Sequence, residues 1–130
     1  MNMTIINRLL CGLGLLAMGC KEGVENPTVT SETCAAGLPT VKTVKNVEGR
    51  ILFDAALRQY CIYRALPGTI DEMDMGVLCG TLPAPLQQVE SKVVFSGTYT
   101  PYDQVRPAAP VGTHYYYLEV TQGKVQTNEE

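Results

Sequence analysis

An all-β module is the fold class this sequence predicts, and three observations predict it. Five runs rich in β-branched and aromatic residues begin near positions 47, 59, 75, 92 and 113, with Gly- and Pro-containing turns between them. Only one short stretch, between the third and fourth runs, has helical character. The chain has 130 residues, 45% of them apolar and 18% charged, which suits a single globular domain and excludes wholesale disorder.

The first strand, VEGRILF from Val47 to Phe53, carries Gly49 inside it, so a bulge or tight bend is expected there. The second, QYCIYRA from Gln59 to Ala65, runs into the turn signal LPGT. MGVLCG, from Met75 to Gly80, is a short third strand. In LPAPLQQVES, Pro85 opens a single helical turn and Gln87, Gln88 and Glu90 suit it. KVVFSGTYT from Lys92 to Thr100 is the fourth strand and THYYYLEVT from Thr113 to Thr121 the fifth, with its continuation beyond Gly123 left open and the Pro-rich loop PYDQVRPAAPVG between the two. Five strands with one helical insertion between the third and fourth is the order of an OB-fold barrel. An eight-stranded lipocalin-like barrel or a sandwich is the competing architecture.

Alternation sorts the faces of the last two strands. Val93, Phe95, Gly97 and Tyr99 share the core face of the fourth. In the fifth, His114, Tyr116, Leu118 and Val120 point inward. Tyr115 and Tyr117 then face out beside Glu119, either as a binding patch or packed beneath a loop.

The N-terminus is an address. MNMTIINRLLCGLGLLAMGC has one early cation, Arg8, then an apolar run of about ten residues, too short to cross a hydrocarbon core of roughly 30 Å. It closes on Ala17-Met18-Gly19-Cys20 and resembles the lipobox of bacterial lipoproteins, with Ala17 where the family prefers Leu. The resemblance implies cleavage after Gly19 and lipidation of Cys20, whose acyl chains anchor the protein firmly in a membrane. Lys21, in place of the Asp that marks inner-membrane retention in enterobacterial lipoproteins, implies the outer membrane, on its periplasmic or surface face. Residues 20–40 read as a lipidated flexible tether, 41–125 as the barrel and 126–130 as a polar tail. The barrel region also resembles the small OB-like lipoproteins of Bacteroidota. The residues that carry this resemblance are Gly49, Tyr60-Cys61-Ile62, Leu78-Cys79-Gly80-Thr81-Leu82-Pro83, Val93-Val94-Phe95-Ser96-Gly97 and Tyr116-Tyr117-Leu118-Glu119-Val120.

Charge and cysteine content narrow the function. The net charge is −3, and removing residues 1–19 with Arg8 leaves nine cations against thirteen acids, or −4. That balance argues against nucleic acid as partner. Export permits disulfides. Cys34, Cys61 and Cys79 allow three single pairings, and Cys61–Cys79 is expected because consecutive antiparallel strands carry them. Cys34 is then left over.

Nothing points to an enzyme, a metal site or a cofactor. His114 is the only histidine, and no G-x-S-x-G, H-E-x-x-H or phosphate-cradling glycine loop occurs. Asp71, Glu72 and Asp74 form an acidic turn that lacks the remaining ligands of a Ca²⁺ loop.

OB-folds commonly bind on the face of strands two and three, between the loops that follow strands one and four. By that analogy Tyr63 and Arg64, with Tyr102 and Arg106 from the long loop, are the candidate ligand-binding residues; Tyr60 is either a fifth or part of the core. The expectation is a lipid-anchored, non-catalytic envelope module that binds a protein or glycan. The alternative is a small inhibitor of a hydrolase, such as a lysozyme or protease, that presents the loop Tyr102–Pro110.

Overall fold

A computed structural model describes residues 27–126. Five strands, β1 (Lys42–Asp54), β2 (Gln59–Ala65), β3 (Met73–Val77), β4 (Lys92–Pro101) and β5 (Thr113–Gln126), close into a barrel in the order β1-β2-β3-β5-β4. All pairs are antiparallel except β3 with β5. One 3₁₀ turn, Ala84–Gln87, lies between β3 and β4. This is the OB-like arrangement expected from the element order. The signal segment, Cys20 and the last four residues lie outside the described residues.

The inward face of each strand fills the barrel as alternation requires. Ile51, Ile62, Leu78, Val93, Phe95, Tyr99, Leu118 and Val120 are buried in one core cluster. Leu86 of the 3₁₀ turn belongs to the same cluster and is fully buried, so the turn closes one end of the barrel. Strand β4 alternates without interruption from Val93 to Tyr99, matching the predicted face.

Three expectations are corrected. The bulge in β1 lies between Val44 and Val47, where Asn46 takes a φ of 49°, and not at Gly49. Gly49 has a different job: a Cβ there would sit 2.6 Å from Ile62 Cγ2 and 3.0 Å from the Tyr63 carbonyl, so its absence lets β1 and β2 wrap closely.

Residues 27–40 are also not a free tether. Strand β3 pairs with β5 only as far as Tyr117, which leaves the second half of β5 without a neighbour on that side. The N-terminal segment fills that seam. Val29 N–H donates to the Gly123 carbonyl and Ser31 N–H to the Val120 carbonyl, while Val120 N–H donates to Ser31 Oγ. An exposed edge strand is a liability, and this segment covers it.

The third correction concerns the cysteines. Among the described residues, Cys34 and Cys79 form a disulfide, with Cα atoms 5.0 Å apart, and Cys61 is free. Register is the reason the expected Cys61–Cys79 bridge does not form. Cys61 pairs with Val77, so the position opposite Cys79 is that of Gln59, and Gln59 Nε2 donates to the neighbouring Leu78 carbonyl. Cys61 and Cys79 are diagonal neighbours at roughly 7–8 Å, beyond ordinary disulfide reach. The seam-filling segment, bridged through Glu32 to Cys79, brings Cys34 in instead.

A second cluster forms on the outer face of β2, β3 and β5. Cys61, Met75, Val77, Tyr102, Tyr115 and Tyr117 are buried there, with Cys34, Ala35 and Leu38 packed over them. Tyr115 and Tyr117 do point out of the barrel, but the segment around Cys34 and the loop residue Tyr102 cover them. Tyr117 donates to Asp103 Oδ1 at 2.5 Å, and that bond holds the Asp103 carboxyl below the usual range.

Burial, reinforced by the charge of Asp54, pushes the Cys61 thiol from 9.0 up to about 12. A thiol whose folded pKa is raised contributes stability that is fully present below its unfolded pKa. That contribution is lost as pH rises through the folded value. The melting temperature is therefore expected to hold up to about pH 9 and then fall towards pH 12, with Cys61→Ala flattening part of the fall. Circular dichroism melts from pH 7 to 11 test this, and an identical fall in the variant would remove Cys61 from the account. Tyr117, pushed by burial from 10.0 up to about 12, adds to the same slope.

Candidate functional site

Two polar features of the barrel lie next to each other. The first is an open groove of about 430 Å³ lined by Glu48, Gly49 and Arg50 of β1, Tyr63, Arg64 and Ala65 of β2, and Lys92 of β4. Register builds it: Arg50 is opposite Tyr63 on one side and Lys92 on the other. Alternation turns all three outward, because their neighbours Ile51, Ile62 and Val93 fill the core. Lys92 Nζ lies 3.9 Å from Glu48 Oε2, a long, exposed pair that contributes little. Arg50 donates from Nη1 to the Glu90 carbonyl at 3.0 Å and has no carboxylate within ion-pair distance among the described residues.

The second feature is the barrel mouth, at the end away from the 3₁₀ turn. Asp74 faces inward from β3 and is fully buried. Lys42 Nζ is 2.6 Å from its Oδ2 and Arg64 Nη1 is 3.8 Å away. Lys42 also lies over the rings of Tyr99 and Tyr116, 5.3 and 5.4 Å from their centroids. Among the described residues, neither Asp74 oxygen receives a well-aligned hydrogen bond and the Tyr99 hydroxyl has no partner. Burial and the Asp74 charge push the Tyr99 phenol pKa upward, so it stays protonated. This is a plug of packed charge with no nucleophile–base pair in it.

The structure divides the residues singled out from sequence. Tyr63 and Arg64 line the groove together. Tyr102 is 8% exposed, wedged between Tyr115 and Tyr117 with ring centroids 5.9 and 5.0 Å away, so it braces the loop and offers no binding surface. Arg106 is exposed on the loop between β4 and β5 and does not line the groove. Tyr60 packs against the core and meets Phe53 edge-on at 4.9 Å.

The acidic turn separates too. Asp71 and Glu72 are exposed, Glu72 pairs with His114 at 2.7 Å, and Asp74 is the buried ion of the mouth. No group of three or more metal-ligating side chains occurs among the described residues, and no helix there is long and apolar enough to cross a membrane. Sequence reading missed Arg50 and Lys92. Both sit at outward positions of predicted strands, but only the β1–β4 register makes them neighbours.

No protein-family model matches this chain, and no curated protein matches it significantly.

Proposed function

We propose that the protein is a lipid-anchored, non-catalytic binding module of the cell envelope, held by Cys20 in the outer membrane, that engages a protein or glycan partner through the groove between β1, β2 and β4. The observation that carries this reading is the pairing of Arg50 with Lys92 across β1 and β4 at one groove on a chain of net charge −3. A closed barrel has a rigid wall on which such side chains are held in place, as binding sites require. The lipobox-like segment supports the anchor. The seam-filling contacts begin at Val29, which leaves residues 21–28 as the span between Cys20 and the barrel. At roughly 3.3–3.6 Å per residue that span holds the barrel within about 30 Å of the bilayer.

The test has two parts. Cys20→Ala is expected to move the protein from the membrane to the soluble fraction. A photocrosslinking residue at Tyr63 in the native lipoprotein is expected to trap an envelope protein or glycan that the same residue at exposed Thr43 does not trap. Unchanged membrane partition removes the anchor; the absence of an adduct specific to position 63 removes the groove.

A further inference from the structure

We infer that the groove is a carboxylate-binding subsite for an acidic saccharide, a sugar ring that bears a carboxylate; this rests on the reading of the groove as the binding face.

The first argument is electrostatic. Arg50 and Lys92 are direct cross-strand partners on the same outward face, an arrangement of like charges that destabilises a sheet. Glu48 relieves Lys92 only at 3.9 Å. Arg50 has one neutral acceptor, the Glu90 carbonyl, and the rest of its five-donor fork is unused among the described residues. Arg64 also lines the groove, but its guanidinium faces Asp74 at the mouth, so the outward lining carries two cations, Arg50 and Lys92, against the single Glu48. A carboxylate seated between Arg50 and Lys92 removes the repulsion and matches the planar guanidinium with two parallel hydrogen bonds.

The second argument is shape. At about 430 Å³ the groove is far larger than a bare anion needs and falls in the range of small-ligand sites. Its lining joins the charges to the Tyr63 ring, which suits a sugar ring with one charged substituent and several hydroxyls. The third argument is topology. An extended acidic peptide usually gains affinity by adding a strand to a free sheet edge. Here β1 is paired on both sides, to β2 and to β4, so the groove offers no backbone ladder.

Calorimetric titration of the full lipoprotein in detergent tests the assignment, with trigalacturonic acid, neutral galactotriose and a poly-glutamate peptide as probes. Trigalacturonic acid is expected to bind, with the neutral trisaccharide and the peptide each at least roughly tenfold weaker. Arg50→Gln is expected to weaken the acidic saccharide by roughly tenfold or more, and Arg50→Lys by less. Affinity is expected to fall as salt is raised. Because Arg50 opposes Lys92, Arg50→Gln is also expected to leave the melting temperature unchanged or raise it; a drop would mark a structural role and overturn the proposal. Equal binding of the neutral sugar or the peptide overturns it, as does unaltered binding by Arg50→Gln. If trigalacturonic acid fails while the Tyr63 crosslink still forms, the saccharide assignment falls and the binding face stands. If both fail, both fall.

Discussion

Replacing Cys34 and Cys79 together by alanine is expected to lower the unfolding free energy by about 4 kcal/mol. The bridge spans 45 residues of sequence, so it removes much loop-closure entropy from the unfolded chain. It also fastens the segment that covers the β5 seam, with Val29 packed into the main core and Ala35 and Leu38 over the outer cluster. For a domain of this size, such a loss corresponds to a drop of about 20 °C in melting temperature. Urea unfolding of the double variant against the native protein measures the first quantity. Limited proteolysis within residues 30–40 reports on the fastening of the segment, because a released segment is cut before the barrel unfolds. A loss below about 1 kcal/mol would show that Val29 and the seam hydrogen bonds hold the segment without the covalent link.

Asp74→Ala is expected to cost about 3 kcal/mol, the other large effect. Asp74 is fully buried beneath Lys42 and Arg64, and its removal leaves two cations at the barrel mouth without their counter-ion. The lysine is one-third exposed and can turn to water, which keeps the cost at the lower end of the range for broken buried pairs. The sign reverses for a matched replacement. With neither oxygen well hydrogen-bonded, the carboxylate is not repaid for all of its desolvation. The combined variant Lys42→Met, Asp74→Leu is therefore expected to recover most of the stability that Asp74→Ala loses. Denaturant midpoints of the three proteins decide this, and a double variant as unstable as the single one would show that the ion pair stabilises the mouth outright.

These two predictions rest on features of very different legibility. Strand β2 was readable to the residue from QYCIYRA and its flanking turn, and β4 from an alternation that the fold preserves without a break. The start of β1 was not, and the end of β5 beyond Gly123 was left open by the sequence. Lys42–Val47 does not alternate cleanly because the bulge at Asn46 interrupts it, and β5 passes through Gly123 to Gln126 because β4 and the N-terminal segment pair with it there. In the candidate site, Tyr63 and Arg64 were visible because fold analogy points to the second strand. Arg50 and Lys92 were not, since their distance depends on which residues face each other across β1 and β4. Tyr102 looked like a ligand anchor because a tyrosine in a Pro-rich loop gives no sign of what it will pack against.

Alternation, turn residues and the single Pro-led helical turn determined the number, order and inward faces of the strands, because these are local properties of a few consecutive residues. Tertiary structure alone decided the disulfide, the burial of Asp74 and the cationic groove. Each joins residues far apart in sequence, and each depends on register, which a closed barrel settles only when all five strands and the segment across the seam are in place together.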